Sequence, residues 1–201
     1  MGLWVIALYG VYATLGVLLR LWIQRRRTGS AGFKILRAKR FSIAWVAVTV
    51  LTVAAFGGIA GAIVDLAGII RPVAALDSRP AHTVGVFVFL AALVVQFYSQ
   101  AAMGDSWRIG VDQNECPALV TRGPFAFVRN PIYLAAAVMS ISLFLVLPNV
   151  LMICSLVAQT AGVELQVRGV EEPYLLNNHH QQYRDYASRV GRFVPFVGRL
   201  R

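Results

Sequence analysis

The chain has 201 residues, of which 58% are hydrophobic and only 14% are charged. Soluble domains carry about 25% charged residues, and a mean hydropathy of +0.65 leaves too little polar surface to cover a soluble globule. The composition therefore excludes a water-soluble domain and indicates an integral membrane protein. The length excludes the large transporters that are built from two six-helix halves.

The chain is strongly basic, with 19 Lys and Arg against 9 Asp and Glu, for a formal net charge of +10. In a soluble domain this excess would favour a nucleic-acid partner. In a membrane protein, basic residues flank the spans and meet anionic lipid headgroups. The charge therefore predicts a bilayer as the partner and no nucleic acid.

The two cysteines and the N-terminal apolar stretch indicate no specific chemistry. Cys116 lies in a polar loop and Cys154 in an apolar run, and this pair predicts neither a zinc site nor a disulfide framework. The N-terminal apolar stretch has no basic segment before it and no small-residue cleavage site, so we interpret it as a retained span.

Five apolar segments follow one another along the chain. A span needs about 20 mostly apolar residues, and the predicted spans are 1–19, 41–64, 83–103, 131–147 and 150–167. Arg20, followed by Leu-Trp-Ile, is expected to end the first span with its guanidinium reaching the interface.

The last two spans come from one uncharged run at 131–163. Pro148-Asn149 near its middle is a turn signal, which predicts a tight helical hairpin. The alternative is a single long helix kinked at Pro148.

The basic residues orient the protein. Five crossings place the first loop, the third loop and the tail on one side with sixteen Lys and Arg, against Arg71 and Arg79 on the other. Since short basic loops stay in the cytoplasm, we expect the N-terminus outside the cell (inner) membrane and the C-terminus inside. The predicted fold is an all-α polytopic membrane protein with five transmembrane helices and a cytoplasmic C-terminal tail. An amphipathic helix is predicted in this tail over 172–188, with Tyr174, Leu175, Tyr183 and Tyr186 as anchors.

Several common sites are missing from the sequence. No G-x-G-x-x-G element follows a strand, and there is no Walker A lysine. His179 and His180 are adjacent, so on a helix they point about 100° apart. We interpret them as a solvated interfacial pair and predict no metal site.

The segment 119–133 contains two local signals. Gly123-Pro124 indicates a turn, and Asn130-Pro131 indicates a helix start with Asn130 as the N-cap. Taken alone, this segment is a capped start of a span with an interfacial Arg129 and Tyr133.

Charged residues follow the fifth span at Arg168, Glu171 and Glu172. One interpretation is a charged first helical turn, since glutamate is stabilised at a helix N-terminus. The other is a site for a zwitterionic ligand, in which glutamate pairs with an ammonium and arginine with a carboxylate.

Together, these segments resemble the isoprenylcysteine carboxyl methyltransferase family, whose relatives include phospholipid N-methyltransferases and other small membrane methyltransferases. The resemblance covers about 104–196. Its elements are Leu119-Val-Thr-x-Gly-Pro-Phe, Arg129-x-Pro-x-Tyr133, Glu171-Glu172, Tyr183-x-x-Tyr186 and Gly191-Arg-Phe-Val-Pro195.

The resemblance implies a methyltransferase that uses S-adenosylmethionine at the cytoplasmic face. It implies one structural domain, in which 1–103 is an N-terminal three-helix membrane region and 104–201 is the catalytic half, with the cofactor loop, the helical hairpin and the tail. Arg168 is the candidate catalytic residue that would orient the acceptor. The candidate cofactor-binding residues are Pro117, Ala118, Leu119, Val120, Phe125, Asn130, Pro131, Ile132, Tyr133, Glu171 and Glu172.

Three departures from the family pattern affect this expectation. Asn130 replaces a histidine, Phe125 replaces a tyrosine, and His179-His180 stands where Phe-Gly is usual. The implied acceptor is a lipid or lipid-modified molecule, with a carboxylate or a phospholipid amine as candidate groups. The other functions considered are a non-catalytic membrane subunit that docks a partner through its basic tail, and a relative of the sterol reductases.

Overall fold

The computed structural model describes residues 1–34, 39–112 and 115–200. Arg37 and Arg201, two of the basic residues counted above, lie outside the described residues. Across the described ranges the protein is helical and contains no strand, apart from two isolated bridges at Phe33–Ile109 and Val128–Gly191. The all-α prediction is therefore confirmed.

The first half of the chain forms three long helices. These are α1 (Gly2–Thr28), α2 (Ile43–Leu66) and α3 (Arg79–Met103). Serine residues are the N-caps of α2 and α3. The hydroxyl of Ser42 accepts from the Trp45 amide at 3.2 Å, and the hydroxyl of Ser78 accepts from the Ala81 amide at 3.4 Å.

The second half forms α4 (Pro131–Val146), α5 (Val150–Gln166) and α6 (Glu172–Arg189). Asn149 separates the first two of these, because its side-chain oxygen accepts from the Met152 amide at 2.9 Å and its amide nitrogen donates to the Gly61 carbonyl at 3.0 Å. The predicted hairpin is confirmed, and the alternative of one long helix kinked at Pro148 is wrong.

The tail helix differs from its prediction in two ways. It is broken at His180, whose φ is +43°. Residues other than glycine rarely adopt a positive φ. Tyr174, Tyr183 and Tyr186 are buried against the protein rather than serving as membrane anchors. The helix itself lies close to the predicted 172–188.

Within the described residues, four helices are long and apolar enough to cross a bilayer, and α4 is a shorter apolar helix. The four are Gly2–Thr28, Ile43–Leu66, Arg79–Ser106 and Val150–Arg189. This arrangement is that of a multi-pass membrane protein.

Small residues bring the helices close together, as in other membrane bundles. The helix α3 packs along α4, and α2 packs along α5. A Cβ added at Gly85 would lie 2.8 Å from the Ser142 carbonyl oxygen, and one at Gly162 would lie 2.8 Å from Leu51 Cγ. The backbone at Gly85 therefore has no room for any side chain.

We expect Gly85→Ala to lower the unfolding free energy by about 1–3 kcal/mol, the usual effect of overpacking, because its neighbour is rigid backbone. Gly10→Ala is the matched control, since a Cβ there meets nothing within 4 Å and alanine favours a helix. Thermal unfolding in detergent measures both variants. Equal midpoints for the two variants would contradict the close approach of α3 and α4.

Candidate functional site

The loop after α3 is held at its start by the first helix. The Arg20 guanidinium donates to the Gly104 carbonyl at 2.6 Å and lies 4.9 Å from the Trp107 ring centroid, and the Gln24 amide donates to the Asp105 carbonyl at 2.9 Å. The prediction that Arg20 ends the span at the interface is therefore wrong. Arg20 is buried, its guanidinium donates to the Gly104 carbonyl of the loop and to Gln24 Oε1 on its own helix, and α1 continues to Thr28.

The same loop is joined to the loop between α1 and α2. The Ile109 amide donates to the Gly32 carbonyl, and the Lys34 amide donates to the Ile109 carbonyl, each at 2.8 Å. Glu115 accepts from Lys34 Nζ at 2.5 Å and from the Arg108 guanidinium at 2.7 Å. These contacts fix the loop as one wall of a cavity.

The start of α4 is attached to the C-terminal tail. Pro131 occupies the first turn of the helix, as predicted. Asn130 is the N-cap residue, also as predicted, although its side chain makes no capping bond. Its amide nitrogen instead donates to the Arg192 carbonyl at 3.1 Å, and the Arg129 backbone amide donates to the Gly191 carbonyl at 2.8 Å.

A buried ion cluster joins these segments to α6. Glu172 accepts from Arg129 at 2.7 Å and from both Nε and Nη2 of Arg192 at 2.8 and 2.9 Å. The hydrogen bonds to Glu172 raise the pKa of Arg192. Arg129 also donates to the Ala187 and Gly198 carbonyls at 3.0 Å each. Glu172 thus holds α4, α6 and the tail together.

Glu171 faces a different environment from its neighbour. It lies at the end of a π-helical turn, Val167–Glu171, between α5 and α6, and such wide turns often occur at functional sites. Its Oε1 accepts from the Tyr133 hydroxyl at 2.5 Å and from the Gln166 amide at 3.2 Å. In the described part of the chain, no arginine or lysine forms an ion pair with this carboxylate.

These elements enclose a first cavity of about 150 Å³. Ten of the residues predicted to bind the cofactor line it: Pro117, Ala118, Leu119, Val120, Phe125, Asn130, Pro131, Ile132, Tyr133 and Glu171. Segments that are far apart in the sequence therefore meet at one place.

Two predicted residues lie elsewhere. Glu172 does not line the first cavity and belongs to the ion cluster. Arg168 pairs with Glu164, one helical turn earlier, and about 60% of its side chain is exposed. The structure does not bring Arg168 together with the other predicted residues.

Sequence reasoning missed several residues that line the first cavity. They include Arg108 and Arg129, Tyr174 and His179. The interpretation of His179 as solvated is wrong, because its Nε2 is buried without a protein partner. A signal was present: Leu175 and His179 are four residues apart and so share one helix face.

A second cavity of about 320 Å³ lies deeper among the helices, mostly apolar in its lining. Every helix from α1 to α5 contributes to its wall. Gly110, Ile132 and Tyr133 line both cavities. The two cavities therefore meet beside the Tyr133–Glu171 hydrogen bond.

Comparison with known proteins finds a family model and solved structures that match this chain. The model of the phospholipid methyltransferase family matches residues 80–182, just over half of the chain. The structure of the eukaryotic intramembrane Ras methyltransferase, an isoprenylcysteine carboxyl methyltransferase solved without a monobody, is similar at a TM-score of 0.68 and 21% identity. The similarity covers 98% of this chain and 69% of that chain. No curated protein matches.

The two matches confirm the family resemblance found in the sequence. The likeness to the Ras methyltransferase supports the fold, and the family model supports the chemistry. The chain therefore belongs to the phospholipid methyltransferase family and is an integral membrane methyltransferase.

Proposed function

We propose that this protein transfers a methyl group from S-adenosylmethionine to a lipophilic acceptor that reaches the site from the bilayer. The observation that carries the proposal is the meeting of two unlike cavities at Tyr133 and Ile132. The first is closed by loops and tail and contains a carboxylate, whereas the second lies among the spans.

The residues of the first cavity fit the cofactor. Glu171 offers a carboxylate for its ammonium group or its ribose hydroxyls. Leu119, Val120 and Phe125 offer apolar contacts for a purine ring. The unpartnered Nε2 of His179 offers one more hydrogen-bonding group. We assign residues 104–201 to this catalytic half, which lines the acceptor cavity together with the three earlier helices.

When bound, S-adenosylmethionine supplies an electrophilic methyl group on a sulfonium. An in-line displacement needs no covalent enzyme intermediate, so the protein contributes mainly position and electrostatics. Tyr133 and Gln166 both donate to Glu171 Oε1, and this orients the carboxylate at the junction of the two cavities. The apolar wall of the second cavity excludes water from the reacting groups.

The acceptor is a lipid or a lipid-modified molecule. Phospholipid amines and lipid carboxylates are the two acceptor groups that the relatives' names suggest. A non-catalytic subunit is not favoured, because the chain belongs to a methyltransferase family. A sterol reductase has no support in either match.

We further propose five spans, with α4 as the fourth. Its 16 residues extend about 24 Å, slightly less than the hydrocarbon thickness of about 30 Å. The buried Asn149 caps the following helix within the protein, so the short span ends without exposing polar backbone to lipid. The N-terminus then lies outside and the C-terminus in the cytoplasm of the cell membrane.

Cysteine labelling tests this topology. In a variant lacking Cys116 and Cys154, Ala75→Cys should react with an impermeant reagent added outside, because Ala75 is exposed in the loop between α2 and α3. Ser188→Cys, exposed on α6, should react only after permeabilisation. Labelling of both positions from the same side would contradict the five-span arrangement.

The binding of S-adenosylhomocysteine, measured by calorimetry, tests the cofactor site. Wild type should bind it, and a lipid extract should accept label from S-adenosyl[methyl-³H]methionine. Glu171→Gln should weaken binding about tenfold or more, because a charge-assisted contact is lost, with little change in stability.

Glu172→Gln is the matched comparison. It leaves Arg129 and Arg192 without their buried counter-charge, which costs about 3–5 kcal/mol of stability. We expect a lower thermal midpoint and a smaller loss of affinity per folded molecule. If both variants lost the same affinity, the division of roles between the two carboxylates would be wrong. If wild type bound no S-adenosylhomocysteine, the proposed function would fail.

Arg168→Ala should leave turnover per folded molecule unchanged. Its partner Glu164 is on the same helix surface and the pair is largely exposed, so its loss costs about 0.3–0.5 kcal/mol at most. Steady-state kinetics measure this turnover, and the rates are divided by the concentration of protein that binds the cofactor. A fall in kcat/KM that Lys only partly rescues would instead indicate that Arg168 contacts the acceptor.

A further inference from the structure

A third cavity of about 430 Å³ lies where α2 begins, beside the π-helical turn between α5 and α6. It adjoins both of the other cavities. Gly110, Val111 and Tyr174 also line the first cavity, and Gly110, Val48 and Gln166 also line the second. A molecule bound in the third cavity therefore lies next to the sites assigned above to the methyl donor and to the acceptor.

The wall of the third cavity contains both lysines of the chain. Lys34 and Lys39 are the only lysines among the 201 residues, and the other seventeen basic residues are arginines. Ser42 and Asn177 add a hydroxyl and an amide to the same wall, and none of its described residues is Asp or Glu. The described wall is thus rich in N–H and O–H donors and has no carboxylate, which suits an anionic ligand.

Lys34 is held firmly in this wall. Its ammonium group pairs with Glu115 at 2.5 Å and with Asp112 at 3.5 Å, and only 13% of its side chain is exposed. An ammonium group has three donors, so these two pairs leave one N–H for a ligand. Because two carboxylates already accompany it, Lys34 adds a placed donor rather than net charge to the cavity.

Lys39 supplies the net positive charge. Its side chain is exposed and forms no ion pair in the described part of the chain. The next residue, Arg40, does not line the cavity, and its guanidinium lies 5.3 Å from the Phe41 ring centroid. The Ser42 hydroxyl accepts from the Trp45 amide, so its own hydrogen is available to the same ligand as Lys39.

The depth of the third cavity matches that of lipid headgroups. Under the five-span arrangement, α2 begins at Ile43 on the cytoplasmic side, where anionic lipid groups meet lysines. Val48 lies more than one helical turn further into the same span and lines both this cavity and the second one. An anionic headgroup at the lysines would therefore have its hydrocarbon chain beside the mostly apolar second cavity.

We propose that the third cavity binds the oxyanion of a lipid headgroup, a phosphate or a carboxylate, through Lys39 and Lys34, while the chain of the same lipid occupies the second cavity. The inference rests on the proposed function, since this lipid is the methyl acceptor, and both acceptor classes considered above bring such an oxyanion. Both lysines lie outside residues 80–182, which the family model matches. The site is therefore built by the part of this chain that the family model does not cover.

An alkyl anion and its neutral counterpart test the inference. Dodecyl phosphate and dodecanol have the same chain and differ in the anionic headgroup. Each is added as a minor component of uncharged dodecyl maltoside micelles that hold the purified full chain, and binding is measured through the shift in thermal midpoint. We expect wild type to bind dodecyl phosphate at least about tenfold more tightly, because hydrogen bonds between charged groups are strong. High salt should reduce this preference, since Lys39 is exposed.

Lys39→Gln and Arg40→Gln are a matched pair of variants. Both remove one positive charge at neighbouring exposed positions, so the general attraction of the protein for an anionic additive changes equally. Lys39→Gln should reduce the phosphate-to-alcohol ratio about fivefold or more, and Arg40→Gln should keep the wild-type ratio. Lys39→Arg should retain most of the ratio, because the charge is kept.

Competition with the acceptor links the site to the reaction. Dodecyl phosphate should inhibit the transfer of label from S-adenosylmethionine to a lipid extract, and the inhibition should be weaker in Lys39→Gln. Inorganic phosphate at the same concentration should not inhibit. Inhibition by inorganic phosphate with the same dependence on Lys39 would identify a free anion as the ligand and overturn the lipid assignment.

Two further results would overturn the inference. One is equal binding of dodecyl phosphate and dodecanol by wild type, and the other is an equal fall in the ratio for Lys39→Gln and Arg40→Gln. Binding of S-adenosylhomocysteine is measured on the same samples. Its absence together with an intact, Lys39-dependent ratio would reject the proposed function and leave the anion site. A normal affinity for it together with equal binding of the two probes would reject the anion site alone.

Discussion

The buried contact of Glu172 with Arg129 and Arg192 is the constraint on which the cytoplasmic end of the protein depends. One carboxylate here is the shared counter-ion of two guanidinium groups, which come from the start of α4 and from the tail. Buried charges are costly unless they are paired and hydrogen-bonded. The extra bonds from Arg129 to the Ala187 and Gly198 carbonyls use its two terminal nitrogens, while its Nε has no partner among the described residues. This ion cluster and the adjacent apolar cluster of Tyr183, Tyr186 and Ala187 together hold the tail against the first cavity.

The adjacent Glu171 is released from this structural role. Because Glu172 pairs with both arginines, the side-chain partners of Glu171 in the described residues are the Tyr133 hydroxyl and the Gln166 amide. Two neighbouring carboxylates thus have separate duties, one in holding segments together and one in the cavity wall. Neighbouring side chains leave a helix about 100° apart, so Glu171, the last residue of the π-helical turn, and Glu172, the first residue of α6, face different surroundings.

Much of the architecture could be predicted, because long apolar runs and turn residues such as Pro148-Asn149 act locally. Ten of the predicted cofactor residues line one cavity because the family pattern preserves their order along the chain. Arg20 and His179 could not be placed in this way. Their partners, the Gly104 carbonyl and the wall of the first cavity, come from distant segments that only the folded chain brings near. The second cavity could not be predicted from the sequence either, since five helices each contribute only a few side chains to it.

Tyr133 lines both the first and the second cavity, and this position determines what has to move between water and the bilayer during the reaction. Under the proposed function, the water-soluble nucleoside stays on one side of this residue and the oily acceptor stays on the other. The cofactor does not have to enter the lipid, and the acceptor does not have to enter the water. Only a single carbon with its three hydrogens crosses the boundary, and it is small and apolar enough to do so at almost no solvation cost.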